Sequence, residues 1–177
     1  MAYNIIEFKA KVADPEKLEA ILLNLQPVYK GEDHQIDTYF TAKVGRLKLR
    51  EGTIENALIW YLRPNDASAK LSQVLLYTHK PDQALKDILC KVHEVKVVVD
   101  KKRRIYFIDN VKFHFDEVKD LGKFIEVEAI DHNGALGLEK IQAQCDHYAS
   151  LFNILPADYI ATSYSDLLLN LQHANGK

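Results

Sequence analysis

The chain has 177 residues, 47% hydrophobic and 27% charged, and its 23 Lys and Arg against 25 Asp and Glu leave a formal charge of −2. Such a chain has the size and composition of one folded domain, which excludes disorder, low complexity and a globally basic nucleic-acid binder. Two cysteines, Cys90 and Cys145, make neither a disulfide scaffold nor a zinc site. No run nears the ~18 apolar residues of a membrane span, and the start carries no signal-peptide pattern. The expectation is a soluble, cytoplasmic protein with neither nucleic acid nor membrane as partner.

Residues 3–12 alternate, with Ile6, Phe8, Ala10 and Val12 on one side and Ile5, Glu7, Lys9 and Lys11 on the other, the period of a strand. Asp14-Pro15 supplies an N-cap and a first-turn proline. Leu18, Ile21, Leu22 and Leu25 then form the apolar stripe of a helix that Pro27 ends. From 34 to 64 the text is strand-like again: 35–40, 46–50, a turn at Glu51-Gly52, and 58–63 closed by Pro64. Trp60 is expected in the core, on the face opposite Tyr61. Residues 70–77 suit a further strand. Asp82 caps a second helix with the stripe Leu85, Ile88, Leu89 and Val92. Strands follow at 95–99 with 101–108, at 111–118 and at 124–130, with breaks at Asp109-Asn110 and Gly122. A helix carrying Leu138, Ile141, Cys145, Tyr148 and Phe152 and a shorter one over 159–171 complete the pattern. The whole reads as a single α+β domain, 1–171, with a mostly antiparallel sheet and a frayed tail at 172–177.

One face of each of several strands is charged. Glu7, Lys9 and Lys11 share a face; so do Arg46, Lys48 and Arg50, and Arg63 continues the set with Tyr61. Lys101 pairs with Arg103, His114 with Asp116, and Glu126 with Glu128. Lys102 and Arg104 hold the other parity and would exchange roles with their neighbours if the register moved by one. These faces are either the solvated side of an antiparallel sheet or the lining of a closed barrel of about eight strands, wide enough for one small ligand. A lining of Arg and Lys with a few carboxylates suits a polyphosphate with Mg²⁺ or Mn²⁺. Cations so crowded in an empty lumen call for a counter-anion. His114 is a proton shuttle or a hydrogen-bonding structural residue; Tyr39 and Tyr61 face phosphate or pack. No Gly-rich phosphate loop, nucleophilic triad or Cys/His metal box is present.

In order and spacing, several segments resemble the CYTH-domain family, the class IV adenylate cyclases and thiamine triphosphatases also called triphosphate tunnel metalloenzymes. They are Ile5-Ile6-Glu7-Phe8-Lys9-Ala10-Lys11, Asp37-Thr38-Tyr39-Phe40, residues 45–52, residues 55–64, Lys101-Lys102-Arg103-Arg104-Ile105-Tyr106, residues 114–118, Leu121-Gly122 and residues 124–128. The resemblance implies an eight-stranded antiparallel β-barrel, with helices outside, that binds a triphosphate with Mg²⁺ or Mn²⁺. It makes Glu7, Lys9 and Arg63 the expected catalytic residues, and Lys9, Lys11, Lys48, Arg50, Arg63, Lys101 and Arg103 the triphosphate ligands. Glu7, Asp116, Glu126 and Glu128 become the metal ligands. Ile5 stands where the family's E-x-E-x-K opening has its first Glu, and Leu71 follows Lys70 where related chains often have a second base.

Three functions are compatible with this reading. The first is a class IV adenylate cyclase-like enzyme, in which the ATP 3′-hydroxyl attacks the α-phosphorus and pyrophosphate leaves. The second is a triphosphatase acting on inorganic triphosphate, thiamine triphosphate or a nucleoside triphosphate. The third is a polyphosphate- or nucleotide-binding module without turnover. A homodimer is the commonest assembly for such a chain.

Overall fold

The computed structural model describes residues 2–62, 70–174 and 176. Eight strands make up the sheet: β1 (Ala2–Lys11), β2 (Val28–Phe40), β3 (Arg46–Gly52), β4 (Ala57–Leu62), β5 (Lys70–Thr78), β6 (Val95–Ile108), β7 (Val111–Val118) and β8 (Gly122–Asp131). They close into a barrel in the order β1-β5-β4-β3-β2-β6-β7-β8, every neighbouring pair antiparallel. Four helices accompany it: α1 (Pro15–Leu23), α2 (Gln83–Val92), α3 (Leu138–Leu151) and α4 (Tyr164–Ala174). Among the described residues, no helix is long and apolar enough to cross a membrane.

Period-two alternation sorts each strand into an outward and an inward face. The outward faces of β1, β7 and β8, among them Ile6, Phe8, Phe113, Phe115, Ile125 and Val127, meet Leu22 of α1 and Ile141, Cys145, Tyr148 and Phe152 of α3 in one core cluster. The α3 stripe is the expected one except that Leu138 is exposed. Asp14 caps α1 by accepting a hydrogen bond from the Lys17 amide at 3.2 Å, with Pro15 in the first turn. A smaller cluster joins Leu89 of α2 to Phe40 and Leu49. The helix leans on the sheet by that one edge, so Ile88 and Val92, expected in its buried stripe, are exposed.

A third cluster lies inside the barrel. Tyr164 and Leu168 of α4 pack with Val97, Val99, Val118 and Phe124, so α4 packs on inward-facing residues while α1 and α3 cover the outside. The helix continues through Ala174, which takes in the first residues of the expected tail.

Two further expectations are corrected. β2 starts at Val28, six residues before the first strand-like residue of the sequence pattern, because a register shift between Tyr29 and Gly31 breaks the alternation. Gly31 has φ +131°, and a Cβ there would meet Ile54 Cδ1 at 2.8 Å. Trp60 is half-buried on the outer face rather than in the core, its Nε1 donating to the Val44 carbonyl at 2.9 Å.

Candidate active site

The inward faces enclose a cavity of about 410 Å³. Glu7, Lys9, Lys48, Arg50, Lys101, Arg103, Glu126 and Glu128 of the expected site all line it. The parity of β6 is therefore the one with Lys101 and Arg103 inside. Lys102 is exposed, and Arg104 turns outward to Glu19 at 2.8 and 2.9 Å. Lys11 does not reach the cavity; it is exposed at the end of β1. Arg63 lies outside the described residues.

Asp37 on β2 organises the first group of charges. Its carboxylate accepts two parallel bonds from Arg50, at 2.8 and 2.9 Å, and one each from Lys48 at 3.0 Å and Lys101 at 2.7 Å. Burial alone would raise the Asp37 pKa, but Arg50, Lys101 and Lys48 together hold it well below the usual carboxylate range. The same sharing leaves Lys101 short of compensation. Burial pushes its pKa down to about 7; Asp37 opposes the shift, while Arg50, Arg103 and Lys48 add to it. One carboxylate cannot offset burial and three neighbouring cations at once.

Arg103 organises the second group. It donates two bonds of 2.6 Å to Asp116 and one of 2.7 Å to Glu126, whose other oxygen lies 3.2 Å from Lys9 Nζ. Tyr164 hydroxyl donates to Asp116 at 2.7 Å, and Lys9 Nζ sits 4.1 Å above the Tyr164 ring. Asp116 is thus enclosed by Arg103 and Tyr164 behind the cavity lining. Among the described residues, the metal-sized group consists of Glu126, Glu128 and His114, and the four expected carboxylates do not converge on one point.

A third group sits on the segment between β3 and β4. Glu55 binds Lys112 Nζ at 2.5 Å and Arg50 Nη1 at 3.2 Å. Burial would raise its pKa, but Lys112, Arg50 and His114 pull it far below the usual range. Asp33, fully buried, shapes this segment by accepting from Thr53 Oγ1 at 2.9 Å and from the amides of Ile54 and Glu55 at 2.8 and 3.0 Å. Gly52 permits that approach, since a Cβ there would lie 2.5 Å from the Glu55 carbonyl oxygen and 2.7 Å from Asp33.

The remaining wall is uncharged. Ala57, Ile59 and Tyr61 of β4 and Ser72, Val74, Leu76 and Thr78 of β5 line the cavity without a carboxylate or cation among them. Ile5, in the place of the family's first Glu, pairs in register with Ser72 on one side and Ile130 on the other and extends this apolar wall. The anticipated demand for a counter-anion is also revised: among the described residues, five lining carboxylates, Glu7, Asp37, Glu55, Glu126 and Glu128, stand among six lining cations. The tunnel is internally paired.

The CYTH domain profile matches residues 4–164. The chain belongs to the CYTH family. Solved structures share this fold: a Pyrococcus horikoshii protein, PH1012, is 23% identical over 92% of this chain and 98% of its own, with a TM-score of 0.76. A Vibrio parahaemolyticus protein provisionally called an adenylate cyclase is 18% identical, covering 93% and 97% of the two chains at a TM-score of 0.74. HpAC1 from Hippeastrum, an adenylyl cyclase candidate with a dominant triphosphatase activity, is 12% identical over 99% and 96% at a TM-score of 0.60. No curated protein matches in sequence. CYTH tunnel enzymes are metal-dependent, and this CYTH chain offers a fitting donor set: Glu126 and Glu128 lie within 4.8 Å of one another and of an unbonded imidazole.

Asp37, Glu55, Lys112 and Tyr164 had no assigned role in the sequence. Asp37 lay within a segment that carried the family resemblance, which was the available signal; its place between the basic faces of β3 and β6 comes only from the strand order. Glu55 and Lys112 meet only through the barrel closure.

Proposed function

We propose that this CYTH protein is a metal-dependent phosphoryl-transfer enzyme whose substrate is an organic triphosphate, with ATP conversion to cyclic AMP and pyrophosphate as the leading reaction. The observation that carries the reading is the division of one cavity into a cationic wall and an apolar wall. Lys101 spends one of its three donors on Asp37, and Lys48 two, on Asp37 and the Tyr39 hydroxyl. The rest are available to phosphate oxygens, and Arg50 is pre-oriented by its two bonds to the same carboxylate. Arriving phosphate charge raises the affinity of Lys101 for its proton, so a lysine poised near neutrality becomes a full cation when the substrate binds. Glu7 and Lys9 are assigned to the reacting phosphate, and the base or other organic group to Ile59, Tyr61, Val74 and Leu76.

Glu126 and Glu128 would hold a divalent ion, which supplies charge neutralisation and polarises the phosphoryl oxygens when bound. Everything else asked of the protein is positioning and electrostatic stabilisation, as phosphoryl transfer requires. Hydrolysis at the γ-phosphorus is the second reading, supported by the fold shared with HpAC1 and its dominant triphosphatase activity. The test is a product profile for ATP, inorganic triphosphate and thiamine triphosphate with Mg²⁺ or Mn²⁺, resolved by chromatography and mass detection, with Glu126→Gln as the contamination control. Cyclic AMP and pyrophosphate, absent in the control, are expected. Orthophosphate from an organic triphosphate would replace cyclisation by hydrolysis, and turnover of inorganic triphosphate alone would overturn the assignment of the apolar wall.

A further inference from the structure

His114 is fully buried inside the barrel, yet neither ring nitrogen has a hydrogen-bond partner. Buried polar groups are almost always satisfied, so an imidazole with both nitrogens unbonded, turned toward two carboxylates, asks what its lone pair is for. Nδ1 lies 3.4 Å from Glu126 Oε2 and 3.8 Å from Glu128 Oε1. Neither contact is a hydrogen bond in good geometry. Both are close to the edge of a coordination polyhedron: bonds of about 2.0–2.2 Å to nitrogen and oxygen place tetrahedral donors roughly 3.4 Å apart.

The neighbours suit a cation. Lys112, the ladder partner of Glu128, is held by Glu55. Arg103 and Lys9 each take one oxygen of Glu126, and each oxygen keeps a further lone pair.

We propose that His114, Glu126 and Glu128 form a mixed imidazole–carboxylate site, and that His114 makes this tunnel select a nitrogen-accepting transition-metal ion over Mg²⁺. Oxygen-only donor sets suit Mg²⁺, whereas imidazole favours Co²⁺, Zn²⁺ and their neighbours. The site rests on the tunnel's need for a metal but not on which triphosphate reacts, so it is tested without substrate.

The experiment uses the full chain, stripped with chelator and titrated separately with Co²⁺ and Mg²⁺ by calorimetry, with the Co²⁺ absorption spectrum and pulsed EPR of the Cu²⁺-loaded protein as second readouts. One equivalent of Co²⁺ is expected to bind at least tenfold more tightly than Mg²⁺, with nitrogen coupling from one buried imidazole. His114→Gln should lose that preference and that coupling while Mg²⁺ affinity changes less than threefold, with His114→Ala as a second variant. Equal affinity of the unaltered protein for Co²⁺ and Mg²⁺, or a preference and coupling that survive both substitutions, would overturn the proposal. Because the comparison of ions is made first on the unaltered chain, misfolding of a variant does not remove the test. A failed metal preference with cyclic AMP still formed would sink the imidazole site alone.

Discussion

On β2, β3 and β6, Asp37 holds Arg50, Lys48 and Lys101 within 3.0 Å, whereas β4 and β5 present Ala57, Ile59, Val74 and Leu76 to the same cavity. In the closed strand order β5 and β4 stand four places from β6 and β7, so the uncharged wall faces the charged strands β6 and β7 across the lumen and adjoins β3. The charged side is held by long-range ion pairs among residues far apart in sequence. The other side is continuous with an apolar cluster that runs through Ile5 and Ile130 to Tyr164 and Leu168. The contrast explains how so many cations fit in one barrel: Lys9, Lys48, Arg50, Lys101 and Arg103 are each anchored to a carboxylate on a neighbouring strand, and Lys112 to Glu55 between β3 and β4. It also underlies the proposed division of the site, with phosphate capture on one wall and recognition of an organic group on the other.

The most disruptive way to break this contrast is to remove its anchor. Asp37→Asn leaves three buried cations facing one another, and loss of one partner from such a group costs about 3–5 kcal/mol. Urea unfolding should show that loss, and added inorganic triphosphate should restore more thermal stability to the variant than to the unaltered protein. Asp33→Ala removes the acceptor for Thr53, Ile54 and Glu55 and should cost about 1–3 kcal/mol by the same measurement. It should also weaken triphosphate binding through the misplaced Glu55.

The comparison is sharpened from the other side by Leu76→Lys, which puts a cation on the apolar wall. The ratio of kcat/KM for ATP to that for inorganic triphosphate should fall about tenfold, equivalent to ~1.4 kcal/mol. A smaller effect concerns pH. Burial pushes the Lys101 ammonium down to about 7 from its ordinary 10.5, so the folded state bears a charging cost that is complete below pH 7. Between pH 7 and 10.5 the unfolded chain binds more protons and stability rises with pH. Lys101→Met removes that cost, so its stability relative to the unaltered protein should be highest below pH 7 and decline toward pH 10 in urea titrations. Triphosphate binding above pH 7 should take up a proton at Lys101, read as a buffer-dependent binding enthalpy that the substitution reduces.

The charged faces were legible in the sequence because β1, β3, β7 and β8 alternate cleanly, and alternation alone puts Glu7 with Lys9 and Glu126 with Glu128. Which face was the lumen was not legible locally, since a solvated sheet carries the same pattern; the family resemblance supplied that choice. Asp37 escaped assignment because its importance comes from three cations on β3 and β6, residues 11, 13 and 64 positions away. The early half of β2 was hidden by the irregularity at Gly31, and the exposed Ile88 and Val92 show that a helical stripe need not be covered along its whole width. The resemblance made Asp116 a metal ligand; that both of its oxygens accept from Arg103 on the neighbouring strand is a contact the strand pattern does not announce.

The central claim, that one wall binds phosphate while the other binds an organic group, is tested most directly by calorimetric titration of the unaltered protein with a non-reactive ATP analogue and with inorganic triphosphate under identical metal and salt. The two-walled cavity predicts that the analogue binds at least tenfold more tightly and that Leu76→Lys narrows the gap. Equal affinities, or tighter binding of inorganic triphosphate, would contradict it.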